Sequence, residues 1–284
     1  MQALPEPVAD AACRVVGLAL TGGRAEERAM YARHLRRVLG EDLSDSEVRS
    51  WTRRAFLAYA RYWMEGARLP AVPARVVEAR MLWPDGMEHL VKGMNEGRGV
   101  IMALPHVGSW EWGGAWLALK GYPMTAVAEP LDPPELYDYF VDQRQKMGLH
   151  IVKLGPRTGS ALLKTLRSGA LVGLLCDRDI VGNGVEVEFF GEKTTFPSGP
   201  ATLALRTGAA LLPTVVYSGP GRYHSAVIRP PLATERTTTL RADVVRVTQE
   251  LANELEAFVL RAPEQWHLFQ PNWPSDEQTS TART

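Results

Sequence analysis

The chain has 284 residues, a length that fits one large α/β domain or two small ones. Its 32 basic and 32 acidic residues give a formal net charge of zero, which argues against a nucleic-acid-binding protein held by bulk charge. The 45% hydrophobic fraction is typical of a globular protein and too high for a disordered chain. Two cysteines, Cys13 and Cys176, cannot build a disulfide framework or a four-thiolate zinc site.

Nothing in the sequence predicts a segment that crosses or is exported through a membrane. It has no run of about 18 consecutive apolar residues. Its N-terminus also lacks the basic region and continuous apolar core of a signal peptide. We therefore expect an intracellular protein that is soluble or lies on a membrane surface.

The first 70 residues are predicted to be helical. Ser44 and Glu47 have the spacing of a capping box, which starts a helix by covering its free N–H groups. An apolar stripe follows at intervals of three and four residues, a pattern that is most often buried in a core. Its members are Val48, Trp51, Ala55, Ala58, Tyr59 and Tyr62. Pro70 and Pro73 end this segment.

From about Gly97 the sequence alternates between strand and helix patterns. Strands are predicted at 100–104, 125–128, 150–154, 170–175 and 210–217. Helices are predicted at 109–120, 134–147, 160–166, 200–207 and 240–260. Because most of these strands are apolar throughout, we predict an α/β fold with a mostly parallel central sheet covered by helices on both faces. The run 185–190 alternates apolar and polar residues, and we interpret it as an edge or lid strand.

We expect one domain over residues 1–284. It comprises a helical N-terminal part over about 1–80 and an α/β core over about 97–270, and it ends in a flexible polar tail over about 275–284.

His106 is the first candidate for chemistry, because it follows an apolar strand at the sheet edge where ligands of open α/β sheets gather. Glu111 lies in the first turn of the next helix, which Ser109 is placed to cap. A histidine beside a carboxylate can act as a general base with an orienting partner. The alternative is structural: His106 bonds backbone atoms, and Glu111 only complements the helix dipole.

Two further elements follow the same pattern. Asp177 and Arg178 follow the strand at 170–175 after one residue, so Asp177 could reach His106, and Arg178 could hold a phosphate or a developing oxyanion. Ser198 and Gly199 open the helix at 200–207, where free N–H groups can bind an anion. A solvated loop and a simple turn are the alternatives.

Several other chemistries lack their motifs. The sequence contains no G-x-S-x-G elbow, no P-loop and no H-E-x-x-H zinc motif. Cys176 closes an apolar strand, so we interpret it as a packing residue rather than a nucleophile. The remaining histidines have no partner at ligand spacing and are interpreted as surface or structural: His34, His89, His150, His224 and His267.

Three elements follow one another along the chain: His106 with Glu111, Asp177 with Arg178, and Ser198 with Gly199. In this order they resemble the bacterial lipid A late acyltransferases, the lauroyl and myristoyl transferases within the wider glycerolipid acyltransferase group. The likeness is strongest to the actinobacterial branch that acylates phosphatidylinositol mannosides. It extends from about residue 5 to about residue 274. Shorter stretches that support it are 59–63, 103–106, 125–129, 187–192, 265–267 and 270–271.

The resemblance implies a glycerolipid-acyltransferase-like fold and a fatty acyl transfer from acyl-CoA, expected to be palmitoyl-CoA, to a hydroxyl of a mannosylated phosphatidylinositol glycolipid. It implies direct attack without an acyl-enzyme, with His106 as the general base. No cofactor or metal is expected, and the protein is expected to act as a monomer. The candidate catalytic residues are His106, Glu111 and Asp177. The candidate substrate-binding residues are Glu129 at the acceptor, Arg144 at the acyl-donor carbonyl, Arg178, Ser198 and Gly199.

The resemblance also implies a peripheral enzyme at the cytoplasmic face of the plasma membrane. The family usually carries a further helical segment before the point where this chain begins, so we expect a start upstream or docking by other surfaces. Arginines of the helical N-terminal part could bind anionic lipid. They are Arg24, Arg28, Arg33, Arg36, Arg37, Arg49, Arg53, Arg54, Arg61 and Arg68. A solvated basic surface is the alternative.

One further departure and two alternatives bear on this hypothesis. Glu111 stands where the actinobacterial branch commonly has Asp, which lengthens its reach to His106 by one methylene. The acceptor could be another lipid or a metabolite hydroxyl. The chain could also be a non-catalytic lipid-binding relative, although it keeps His106, Glu111, Asp177 and Arg144.

Overall fold

A computed structural model of the protein describes residues 5–276. The chain begins with helices α1 (Glu6–Gly23), α2 (Ala25–Leu39), α3 (Asp45–Arg68), α4 (Ala74–Arg80) and α5 (Met87–Asn95). The predicted capping box is confirmed at the start of α3. Ser44 Oγ accepts the Glu47 N–H at 3.3 Å, and the Glu47 carboxylate accepts the Ser44 N–H at 3.0 Å.

The α/β core follows. Its strands are β1 (Val100–Leu104), β2 (Met124–Ala128), β3 (His150–Lys153), β4 (Leu171–Leu175), β5 (Val185–Phe189), β6 (Glu192–Phe196), β7 (Ala210–Ser218) and β8 (His224–Ile228). Its helices are α6 (Trp110–Leu119), α7 (Pro134–Lys146), α8 (Thr158–Arg167), α9 (Gly199–Thr207) and α10 (Leu240–Arg261). A 3₁₀ turn, Pro263–Gln265, follows α10.

The central sheet has six strands in the order β3-β2-β4-β1-β7-β8. Its pairs are parallel except for β7 and β8, which are antiparallel. Both faces of the sheet are covered. Along β1, Ile101 and Ala103 pack with residues of α8, α9 and α10, whereas Met102 and Leu104 pack with residues of α5 and α6. The predicted fold class is therefore confirmed.

The run 185–190 does not join the edge of this sheet, so that part of its interpretation was wrong. It forms β5, which pairs antiparallel with β6 in a separate two-stranded sheet. The Gln249 side chain on α10 bonds both the N–H and the C=O of Glu188 and fixes this hairpin against the helix. Strands β6 and β8 were not predicted from the sequence. In β6, polar residues dominate the run Glu192–Phe196 and weaken its strand pattern.

The chain remains packed as far as Asp276, within the first residues of the segment expected to be a flexible tail. Asp276 is buried, and its Oδ2 lies 3.2 Å from His34 Nε2 on α2. The rest of the expected tail, 277–284, lies outside the described residues. Within 5–276, no helix has both the length and the apolar character needed to span a bilayer.

Candidate active site

Sheet register places His106 beside Asp177. β1 and β4 are adjacent and parallel, and Leu104 lies opposite Leu175. His106 lies two residues beyond Leu104, and Asp177 lies two residues beyond Leu175. His106 Nδ1 lies 2.6 Å from Asp177 Oδ1, and the His106 N–H donates to Asp177 Oδ2 at 2.9 Å. The contact predicted between these residues is present.

The electrostatics of this pair define its protonation. Asp177 is 0% exposed, and burial raises the pKa of its carboxyl group. The charge of His106 and hydrogen bonds from His106 and Trp266 outweigh burial, so the pKa of Asp177 lies below its ordinary value. An ionised carboxylate can only accept hydrogen bonds, so Nδ1 of His106 carries the proton that is donated to Asp177. Nε2 of His106 is then the nitrogen that can accept a proton from a substrate.

Glu111 occupies a separate cluster. Its Oε1 accepts Arg144 Nη2 of α7 at 2.9 Å and the Tyr62 O–H of α3 at 3.1 Å. The expectation that Glu111 orients His106 is therefore wrong in this structure: Glu111 is buried against Arg144. Within residues 5–276, Glu111 Oε2 and Arg144 Nε have no hydrogen-bond partner. The cluster thus contains one buried acceptor and one buried donor that are left without a partner in the described part of the chain.

Ser109 stands at the N-cap position of α6, but its side chain makes no capping hydrogen bond. The expected side-chain cap is therefore absent. The backbone of Ser109 instead joins the neighbouring strand, because its N–H donates to Val216 O on β7 at 2.9 Å. This bond anchors the loop between His106 and α6 to the sheet.

A cavity of about 720 Å³ opens at this edge of the sheet. His106 lies in its wall, and so do five other predicted site residues: Glu129, Arg144, Arg178, Ser198 and Gly199. Glu111 and Asp177 stand behind the wall, bonded to Arg144 and His106. Much of the remaining lining is aliphatic and includes Leu162, Leu163, Leu174 and Leu203. The cavity therefore combines an apolar interior with a few polar groups, as small-molecule sites do.

The other predicted binding residues differ in how tightly they are held. Arg178 Nη1 lies 3.7 Å from Glu129 Oε1, and both side chains are partly exposed, so this pair is weak. Gly199 begins α9, and Ser198 holds its N-cap position without a side-chain capping bond. The N–H groups at this helix start therefore remain available for an anion or a polar substrate group.

The aromatic stripe of α3 is only partly core. Val48 and Ala55 are buried, as predicted, but Tyr59 and Tyr62 line the cavity together with Trp63. The three-and-four spacing identified one face of the helix. It could not show that one end of that face lies over a cavity instead of a core.

Two further site residues, Trp266 and His267, were not predicted from the sequence. Trp266 Nε1 donates to Asp177 Oδ2 at 2.8 Å. His267, interpreted as surface or structural, lies in the cavity wall, with its ring centroid 4.8 Å from that of Tyr62. Burial lowers the pKa of His267 to about 3, so its ring is neutral near pH 7. No spacing rule connects these residues with His106, and the stretch 265–267 stood out only through the family resemblance.

Comparison with known proteins places the chain in a family. The family model described as bacterial lipid A biosynthesis acyltransferase matches residues 1–275. The chain is therefore a member of this family and an acyltransferase that acts on lipids. The family resemblance predicted from the motifs is confirmed.

Among its relatives, the chain is 37% identical to the phosphatidylinositol mannoside acyltransferase of Mycolicibacterium smegmatis, over 86% of this chain and 79% of the relative. It is 39% identical to the phosphatidylinositol mannoside acyltransferase of Mycobacterium tuberculosis, over 77% of this chain and 69% of the relative. It is also 28% identical to a lipid A biosynthesis acyltransferase of Haemophilus influenzae, over 64% of this chain and 55% of the relative.

Proposed function

We propose that this protein transfers a fatty acyl group from a long-chain acyl-CoA, such as palmitoyl-CoA, to a hydroxyl of a mannosylated phosphatidylinositol glycolipid. The observation that carries the chemistry is the buried His106–Asp177 pair in the wall of a largely apolar cavity. The acceptor class follows from the names of the mycobacterial relatives. The transfer uses no cofactor or metal and is carried out by a monomer.

His106 acts as the general base. As the acceptor oxygen attacks the thioester carbonyl, Nε2 of His106 takes the hydroxyl proton, and the Asp177 carboxylate stabilises the imidazolium that forms. The tetrahedral intermediate collapses by breaking the carbon–sulfur bond. The CoA thiolate then takes the proton from His106, which restores the neutral base and leaves the new ester.

The transfer is direct and forms no acyl-enzyme. Cys176 is the thiol nearest to the pair in sequence, but it is buried and its Sγ bonds Leu174 O. Burial raises the pKa of this thiol far above its ordinary value, so the reactive thiolate does not form. The acceptor hydroxyl is therefore the nucleophile.

The donor and the acceptor occupy different parts of the cavity. The aliphatic wall formed by Leu162, Leu163 and Leu203 takes the acyl chain. Arg144 approaches the thioester carbonyl, and Arg178 binds a phosphate group of CoA. At the cavity wall, the partly exposed Glu129 carboxylate accepts hydrogen bonds from sugar hydroxyls.

We further propose that the enzyme works peripherally at the cytoplasmic face of the plasma membrane. Several arginines predicted to face lipid are engaged with acids, such as Arg36 with Asp45 and Arg61 with Glu65, which weakens the basic surface. A different feature, on α1, supports membrane contact. The outward face of α1 exposes apolar side chains: Val8, Val15, Val16 and Leu18. An exposed apolar helix face of this kind is typical of interfacial helices.

The function is tested by release of free CoA. Purified protein is incubated with palmitoyl-CoA, with and without a phosphatidylinositol mannoside in vesicles. The variants are His106→Ala and, as a matched control, His150→Ala, which removes an exposed imidazole on β3. We expect release that needs both the glycolipid and His106 and that is unchanged in His150→Ala.

Other outcomes separate the alternatives. Release that needs His106 but not the glycolipid indicates thioester hydrolysis and a different acceptor. Release that persists in His106→Ala within a few-fold of the parent rate contradicts the general-base assignment. The absence of release from folded protein favours the non-catalytic lipid-binding alternative.

A further inference from the structure

The carboxylate of Asp177 is held from a part of the chain that the reaction scheme does not use. Within residues 5–276, three hydrogen bonds reach its oxygens: His106 Nδ1 at 2.6 Å, His106 N–H at 2.9 Å and Trp266 Nε1 at 2.8 Å. Two of these donors belong to His106 itself. The indole N–H of Trp266 is therefore the donor that fixes the carboxylate independently of the residue it orients.

Trp266 lies in the segment 263–276, which we call the C-terminal strap. The strap also fixes the loop that carries His106. The His267 N–H donates to His106 O at 2.7 Å, and the Gly108 N–H donates to Gln265 O at 3.0 Å. One short segment thus holds both members of the pair, one through the backbone and the other through an indole.

The indole is itself immobilised. Trp266 is 1% exposed and packs among the rings of His34, Phe189 and Trp273. Beyond it, Asp276 pairs with His34 on α2. A side chain so enclosed cannot swing away from Asp177 without disrupting its neighbours, so the N–H has a defined direction.

We propose that Trp266 is a positioning residue for acyl transfer: its indole N–H holds Asp177 in the rotamer that orients His106. The inference rests on the proposed function, because it assigns a role within the same site. Without the N–H, Asp177 Oδ2 loses its donor from the strap, and the carboxylate can rotate about its Cβ–Cγ bond. The imidazole is then held less tightly in the orientation needed to take the acceptor proton.

A core tryptophan can also be merely structural, and the chain offers a matched control. Trp273 lies in the same aromatic group, is equally buried, and donates its Nε1–H to Phe189 O at 3.1 Å instead of to Asp177. Trp266→Phe and Trp273→Phe therefore remove the same group from the same core. Only Trp266→Phe removes a donor to the catalytic pair.

The experiment measures kcat, KM for palmitoyl-CoA and Tm for the full-length parent and both variants in the glycolipid-dependent CoA release assay. We expect similar falls in Tm, but a fall in kcat of about tenfold or more only in Trp266→Phe, with KM within about twofold. Equal kcat values in the two variants, or a loss in Trp266→Phe that appears entirely in KM, would overturn the inference.

A second substitution covers the case in which Trp266→Phe fails to fold. Site-specific incorporation of 3-benzothienyl-alanine at 266 keeps the two-ring shape and replaces only the N–H by sulfur. The same fall in kcat is expected, and an unchanged kcat contradicts the inference. The parent protein separates this failure from failure of the proposed function. If the parent shows no transfer that depends on His106, the proposed function is wrong. If the parent shows such transfer, the variants test only the role of Trp266.

Discussion

Two buried carboxylates flank the same cavity, and they have different partners. Asp177 pairs with His106, whereas Glu111 pairs with Arg144 and Tyr62. Glu111 is much closer to His106 in sequence, yet Asp177 makes the contact. The comparison shows that position in the sheet, more than sequence spacing, decides which acid contacts His106.

The physical reason lies in the backbone. His106 and Asp177 each lie two residues beyond the ends of neighbouring parallel strands in register, so they meet at the sheet edge. Glu111 is carried by the first turn of α6, where its side chain reaches Tyr62 on α3 and Arg144 on α7. The two clusters should therefore perform separable tasks, orientation of the base in one and binding of the acyl donor in the other.

The largest effect should come from Asp177→Asn. The amide keeps the shape of the side chain but has no negative charge to stabilise the imidazolium. It also no longer requires the proton of the neutral imidazole to lie on Nδ1. We expect kcat to fall about a thousandfold, with KM for acyl-CoA nearly unchanged. Steady-state kinetics at saturating glycolipid measure this. A selective rise in KM would instead place Asp177 in the donor site.

A smaller loss is expected from Glu111→Gln, because it removes the charge that pairs with Arg144 but leaves the His106–Asp177 contact. We expect kcat/KM for acyl-CoA to fall about 10- to 100-fold. Combining it with Arg144→Lys should add little further loss, since both changes break one interaction. Fully additive losses would show that Glu111 and Arg144 act separately.

A still smaller effect is expected at the cavity wall. Glu129→Gln removes a partly exposed carboxylate that we assign to the acceptor sugar. We expect KM for the glycolipid to rise about 2- to 10-fold while KM for palmitoyl-CoA stays the same. Initial rates with each substrate varied in turn test this. A change confined to the KM for palmitoyl-CoA would move Glu129 to the donor side.

The smallest effect concerns the free energy of unfolding. It comes from His267, which lies between the two clusters. His267 donates its Nε2–H to Gly108 O and packs on Tyr62, and burial lowers its pKa from 6.5 to about 3. Between these values the unfolded chain binds a proton that the folded protein does not, so the free energy of unfolding falls as the pH falls.

Urea unfolding at pH 7.5 and pH 5.7 checks this. The parent should lose about 1 kcal/mol more than His267→Gln over this interval. The exposed His150→Gln serves as the control and should behave as the parent does. Equal losses in the parent and His267→Gln would show that the ring is not kept neutral by burial.

The parts of the molecule that follow local rules could be predicted from the sequence. Of the five core strands that were predicted, β1 and β4 are continuous apolar runs. The capping box of α3 was also visible, because it needs only two side chains at fixed spacing. Strands β6 and β8 lack such a run and were missed.

The site was only half predictable, for a related reason. Alternation of strands and helices implies a parallel sheet, so the approach of Asp177 to His106 could be foreseen. The partners of Glu111 depend on how α3 and α7 pack, which no spacing along the chain encodes. The same holds for Trp266, which reaches Asp177 from beyond α10.

The central claim is that Asp177, and not Glu111, works through His106. It is tested most directly by measuring glycolipid-dependent CoA release for Asp177→Asn and Glu111→Gln in the parent and in a His106→Ala background, over incubations long enough to quantify residual transfer. We predict that Asp177→Asn causes no further loss once His106 is gone, while Glu111→Gln still lowers the rate by its full factor. The opposite pattern, a further loss from Asp177→Asn and none from Glu111→Gln, would contradict the account.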